Sequence, residues 1–408
     1  MRKLAVPLIV GLLALTGLYL LQRPSADAQV ASRTAVAAAG QAVRNVIFIN
    51  GDGMGAAHRE AGRLYLAGPG GSLTMDRFPY SGQLSTSPAD PASIVTDSAA
   101  GASAWATGRR TYNGAISVDS GGKALPTLGA QAKQAGKATG LVTTAQVTDA
   151  SPAAFFANAV DRDAQDDIAR QYLEVSKPDV ILGGGEDWWL PEGTAGAYPD
   201  RPAADPTEFS AGTEGDLIAE ARKGGYQYVS TAAELAAAGP GKLLGLFANE
   251  EMFQQNGDVY APPVDLATMT QKALSALSTD PDGFFLLIEE EAVDEFAHAG
   301  NARRVLQAMG RLDQAVAVAQ SFAAAHPDTL VVVTGDHETG GLALLDGTGA
   351  STSFPVKGTR LRFAMQWTTT GHTAQDVPVS AYGPLADRFT GKHPNTYVHE
   401  VLAPILTR

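Results

Sequence analysis

Three apolar runs in this chain stop abruptly on a carboxylate or an imidazole, and a fourth begins just after a histidine. Open α/β sheets gather their reactive groups at strand ends in this way, so the pattern predicts a mostly parallel central sheet with helices on both faces. In the first run, Asn45 to Gly55 (NVIFINGDGMG), Val46 to Ile49 read as a buried strand and glycines let the backbone turn tightly around Asp52. A solvated turn aspartate is the plainer reading, but an acid held there is costly unless it meets a cation. The second run, Gly283 to Asn301 (GFFLLIEEEAVDEFAHAGN), carries the strand Phe284 to Ile288 into Glu289, with Asp294 and His298 following four residues apart. That spacing suits one helix face or a pair of metal ligands. A solvated helix start accounts for Glu290 and Glu291, and less well for Glu289, which continues the strand.

The third run, Leu330 to Gly341 (LVVVTGDHETGG), is a β-branched strand that ends on adjacent Asp336 and His337. In Thr368 to Pro384 (TTTGHTAQDVPVSAYGP), His372 precedes the strand Val377 to Tyr382. The remaining histidines, His58, His326, His393 and His399, read as surface or helix residues. A different signal lies in Val95 to Gly108 (VTDSAAGASAWATG), where Asp97 and Ser98 stand before an alanine-rich helix that Gly108 can close in the left-handed conformation. Ser98 reads either as an ordinary helix cap or as a nucleophile at a helix start, where free N–H groups attract an anion.

Taken in order, GDGMG, VTDSAAGASAWATG, the Glu289, Asp294 and His298 spacing, GDHETGG and the late GHT resemble the alkaline phosphatase family, from about Asn45 to the C-terminus. The resemblance implies an enzyme that hydrolyses phosphate monoesters through a phosphoserine at Ser98. It implies two Zn2+ ions, the first held by Asp294, His298 and His372, the second by Asp52, Asp336 and His337 with Ser98 bridging into it. One Mg2+ ion would be held by Asp52, Glu289 and Ser151, where better-known members carry threonine. Imidazoles on the zinc sites and oxygen donors on the third agree with the preferences of those ions. Arg162 takes the place of the family's phosphate-binding arginine, with Asp97 orienting it, and Asp149 and Glu295 border the substrate. Two plainer readings stand beside these: Arg162 as a helix-surface ion pair, and Ser151 as an N-cap followed by Pro152.

The chain departs from the family at two points. The family often has small residues after the metal-binding glutamate, where this chain has Glu290 and Glu291. It also has Glu295 beside Asp294, where others carry lysine, histidine or tryptophan, and an inward negative charge there opposes phosphate.

Met1-Arg2-Lys3, the apolar stretch Leu4 to Leu21 and Ala26-Asp27-Ala28 have the pattern of a secretory signal over residues 1–28, with export to the periplasm or the cell exterior. An uncleaved membrane anchor is the competing reading, since the stretch is nearly long enough to span. Residues 29–44 form an alanine-rich lead-in, and 45–408 read as one catalytic domain, because ligands as distant as Asp52 and His372 must converge. No cysteine is present, so the exported chain relies on its core. The net charge of −13 and the lack of a basic stripe argue against a nucleic-acid surface. Gly184 to Gly212 reads as a surface excursion in preference to a substrate lid. Gly340 to Phe363 falls where the family places its crown and dimer contacts, which allows a homodimer.

Three other functions compete. A phosphodiesterase or phosphonate hydrolase of the same superfamily would typically lack the third-site ligands. A sulfatase needs a C/S-x-P-x-R motif that Ser98 does not occupy. A non-catalytic metal- or phosphate-binding protein would gain nothing from a nucleophile over two metals.

Overall fold

The computed structural model describes residues 42–201, 209–253 and 259–408. The segment with the signal pattern, and the lead-in up to residue 41, lie outside the described residues. A ten-stranded sheet organises the chain. From one edge to the other its strands are Gly391–Pro394, Tyr80–Ser85, Val377–Tyr382, Thr329–Thr334, Asn45–Gly51, Phe284–Glu290, Ala138–Gln146, Val180–Gly184, Leu243–Leu246 and Gln227–Val229. All pairings are parallel except those of Val377–Tyr382, which runs antiparallel to both neighbours. The central strands are β-branched and apolar, the composition that a strand buried on both faces requires.

Alternation along those strands divides the core in two. Val46, Phe48, Leu141, Phe285, Leu287, Leu330 and Val332 point to one face, where the helices Ser98–Thr107, Ala150–Phe156 and Tyr397–Leu406 pack. Ile47, Ile49, Val142, Leu286, Ile288, Val331 and Val333 point to the other, under the helices Leu266–Leu277 and Ala302–Ala325. The helix Ser98–Thr107 is buried along its whole length. Its alanines and glycine let it lie close to the sheet, while Trp105 fills the remaining space against Phe48 at a ring distance of 5.0 Å.

A three-stranded sheet, Ala343–Asp346, Phe354–Pro355 and Arg362–Gln366, folds the crown region into a separate layer over the helix Ala56–Leu66. The base of the 184–212 excursion belongs to the core, since Trp189 is fully buried and Trp188 donates to Gln146 Oε1.

Candidate active site

Parallel pairing aligns the ends of the central strands in one row. Asn50 lies opposite Glu289 and Thr334, and Thr143 lies opposite Glu289 on the next strand. Just beyond the row the chain turns at Gly53, whose positive φ of 69° suits glycine. The turn is pinned where Asp52 N donates to the Glu290 carbonyl and Gly53 N to Asp336 Oδ1, at 3.1 Å each. His372 arrives from a distant part of the sequence through a short antiparallel pair, His372 with Thr339 and Thr373 with Glu338. Glu338 reinforces that pair by accepting from Gly341 N, Leu342 N and the Thr373 hydroxyl.

Each imidazole is held by its Nδ1 edge. His298 Nδ1 faces the Thr370 carbonyl, His372 Nδ1 lies 3.0 Å from the Thr96 carbonyl, and His337 Nδ1 lies 3.2 Å from Thr339 Oγ1, whose hydrogen goes to Asp294. Acceptors at Nδ1 fix the tautomer that leaves Nε2 with its lone pair. Those lone pairs converge. His298 Nε2 is 3.0 Å from His372 Nε2 and 3.0 Å from Asp294 Oδ2. His337 Nε2 is 3.0 Å from Asp336 Oδ2, 3.5 Å from Asp52 Oδ1 and 3.1 Å from Ser98 Oγ. Lone pairs of nitrogen and carboxylate oxygen facing one another at such distances call for a cation.

Electrostatics give the same answer. Burial, and then Asp336, push the Asp52 carboxyl well above its ordinary range. Both Asp52 oxygens and Asp336 Oδ2 are buried without a hydrogen-bond donor. Burial lifts Glu289 to about 7 although Thr143 and Ser151 donate to it. Asp294 is held below its range, since its hydrogen bond to His298 and the charges of three imidazoles outweigh burial. Without a cation a proton takes its place between Asp294 and His298 Nε2, and that hydrogen bond raises His298 to about 9, whereas burial and His337 lower His372 to about 4. Within 4.8 Å of one another lie the ligand atoms of Asp294, His337 and His372, of Asp52, Asp336 and His337, and of Asp52, Glu289 and Glu291. These oxygen and nitrogen sets fit divalent cations.

Ser98 is the first residue of its helix, capped by Asp97, whose carboxylate accepts from Ala100 N at 2.8 Å. Gly108 closes the helix at φ 70°, as the sequence predicts. Arg162 lies outside any helix, so it is no helix-surface ion pair; its main partner is Asp149, at 2.7 Å, and Asp97 stands farther away at 3.7 Å. Asp149 therefore does most of the orienting expected of Asp97. Burial opposes the charge on Arg162, but Asp149 holds its guanidinium above the ordinary range.

Several sequence expectations are corrected. Asp149, not Ser151, caps the helix Ala150–Phe156, which leaves the Ser151 hydroxyl free to meet Asn50 Nδ2 at 3.2 Å and to donate to Glu289. Glu290 and Glu291 are not a solvated helix start. Both are buried, Glu290 beneath the Thr144 and Tyr260 hydroxyls and Glu291 beside Asp52 and Glu289. His58 is fully buried within its helix and accepts from Gly55 N, with Trp367 at a ring distance of 5.8 Å and Glu338 at 4.0 Å against it. Glu295 turns inward: a carboxylate oxygen lies within 4.8 Å of ligand atoms of Glu291 and Asp294. Asn50, Thr143 and Thr339 escaped the sequence reading, although Asn50 and Thr143 occupy the strand-end row that strand alternation marks out.

Fold and site together define a class, the metal-dependent hydrolases that gather carboxylates and imidazoles at the ends of α/β strands. Residues 43–360 and 348–407 match the family model for alkaline phosphatase. The streptomycin-6-phosphate phosphatase of Streptomyces griseus is 36% identical over 90% of this chain and 91% of its own length. The cold-active alkaline phosphatase of a psychrophilic Shewanella superposes with a TM-score of 0.75 at 31% identity, covering 89% of this chain and 100% of that one. A variant of the alkaline phosphatase from the Antarctic bacterium TAB5, solved with Mg bound in its M3 site, is 28% identical with a TM-score of 0.73, covering 90% of this chain and 98% of that one. The chain belongs to the alkaline phosphatase family. It is a metal-dependent phosphomonoester hydrolase.

Proposed function

We propose that this hydrolase works through a phosphoserine at Ser98, with two zinc ions and one magnesium ion per chain. The observation that carries the reading is a cluster of inward-turned imidazole Nε2 atoms among buried carboxylates that lack donors, with Ser98 Oγ 3.1 Å from one of them, His337 Nε2. Asp294, His298 and His372 are the ligands of one zinc, Asp52, Asp336 and His337 those of the other, and Asp52, Glu289 and Ser151 belong to the magnesium site. Bound there, the divalent ions supply Lewis acidity that makes the serine hydroxyl a nucleophile and offsets charge on the departing oxygen.

Arg162, fixed by Asp149, grips two non-bridging oxygens of the substrate and sets phosphorus in line with Ser98 Oγ. A bond forms from Ser98 Oγ to phosphorus as the bond to the alcohol oxygen breaks, and the alcohol leaves with a proton. Water then attacks phosphorus from the vacated side, and the bond to Ser98 breaks to release phosphate. Two inversions give net retention at phosphorus.

The same reading extends to the rest of the chain. Residues 1–28 direct export and are removed, so the mature chain begins near Gln29 outside the cytoplasm. Residues 45–408 form one catalytic domain, with phosphate monoesters and not nucleic acid as partners, and the 340–363 layer is the place for homodimer contacts. Among the described residues no helix is long and apolar enough to cross a membrane. Turnover of matched mono- and diester substrates by zinc- and magnesium-loaded protein, with its metal content measured, tests the reading. Faster monoester turnover and three ions per chain are expected. Preference for the diester, or two ions at saturation, would overturn it.

A further inference from the structure

Glu291 has no role in the scheme above, yet it is built into the same site. Glu289 and Glu290 end the strand on opposite faces, Glu290 being occupied by Thr144 and Tyr260, and the chain turns at Glu291, which begins the helix Ala292–His298 with αR dihedrals. The Glu291 backbone is fixed as its N–H donates to Thr144 Oγ1 at 2.9 Å. Its carboxylate is buried, and its oxygen lies within 4.8 Å of oxygens of both Asp52 and Glu289. Three carboxylates at that separation match the span of oxygen ligands on one hard cation.

A second observation points to the same cation. Asp52 is completely buried, and neither of its oxygens has a hydrogen-bond donor. His337 Nε2 lies 3.5 Å from Oδ1, so a cation on the zinc side satisfies only part of the group. Ser151, by contrast, is already engaged, since it meets Asn50 Nδ2 and donates to Glu289.

We infer that Glu291 is a third carboxylate ligand of the magnesium site, so that Asp52, Glu289 and Glu291 carry its charge and Ser151 is a minor neutral donor. The inference rests on the reading that this site binds magnesium. A site with three anionic ligands holds a divalent ion more tightly than one with two.

The test is calorimetric titration of Mg2+ into the zinc-loaded full-length protein, with the magnesium-induced rise in melting temperature as a second readout. Glu291→Gln keeps the shape and removes the charge. It should weaken magnesium at least about 10-fold with both zinc ions retained, and Glu291→Asp should fall between it and wild type. Ser151→Ala should cost less than Glu291→Gln. Unchanged magnesium affinity in Glu291→Gln, with Glu289→Gln strongly impaired, would overturn the inference and leave the magnesium site standing. A zinc-loaded wild type that takes up no magnesium would overturn the underlying reading and the inference with it. Should Glu291→Gln fail to fold, Glu291→Asp carries the same comparison: wild-type affinity there, with the carboxylate withdrawn by one methylene, counts against the inference.

Discussion

Glu295 offers a direct test of whether one side chain sets the affinity for phosphate. Its carboxylate lies among Glu291 and Asp294 and faces the site, where a negative charge opposes a bound phosphate. Glu295→Lys replaces repulsion with attraction, so inorganic phosphate should inhibit about 3- to 10-fold more strongly, a change of the size expected from charges partly screened by solvent. Faster monoester turnover need not follow, because tighter product slows its release. Inhibition by phosphate as a function of concentration checks the point, and an unchanged inhibition constant would mean the Glu295 charge is not felt by phosphate.

At the scale of elements, the turns after the strands do as much as the ligands they carry. Gly53 has φ +69°, and a Cβ there would meet Asp294 Oδ1 at 2.6 Å and Asp294 Cα at 2.9 Å. Gly53→Ala should therefore cost about 1–3 kcal/mol of stability and displace Asp294, which melting and zinc analysis would register together. Full zinc content in a destabilised Gly53→Ala would mean that the turn supports the fold alone. The strands were legible in the sequence as short apolar runs, and their reactive ends as the polar groups Asp52, Glu289 and Asp336 on which those runs stop. The short or half-polar edge strands, such as Tyr80–Ser85, Gln227–Val229 and Gly391–Pro394, were not, because they alternate weakly or are too brief to show a period. Nor could the sequence show that the three glutamates after Ile288 divide between two environments. That depends on Thr144 from a neighbouring strand and on Tyr260, which only the folded chain brings to Glu290. The cap at Asp149 was likewise hidden, because Ser151 before Pro152 fits the same local pattern two residues later.

For the molecule as a whole, the site is a destabilised region that cations complete. In metal-free protein burial raises Glu289 and Glu290 to about 7, and the Asp294 hydrogen bond raises His298 to about 9. A group raised on folding stabilises the fold only while protonated, so these contributions fade as pH climbs through those values. His372 and His58, lowered to about 4, act in the opposite sense, but their effect is complete once the unfolded histidine value near 6.5 is passed. Between pH 6.5 and 8.5 the metal-free protein should therefore lose several degrees of melting temperature, roughly in line with a few kcal/mol. Zinc and magnesium should largely abolish the loss, because they bind the deprotonated ligands more tightly as pH rises. Parallel slopes with and without metal would count against ionised ligands at the site. The central claim is that Ser98 carries the phosphoryl group, and the stereochemical course at a chiral phosphorus, measured with an amino-alcohol acceptor present, tests it most directly. Retention of configuration, transfer to the acceptor and a loss of turnover by orders of magnitude in Ser98→Ala are predicted, with any residual reaction inverting. Inversion by the wild type without transfer would contradict the account, since water would then attack phosphorus directly and Ser98 would serve only to begin its helix.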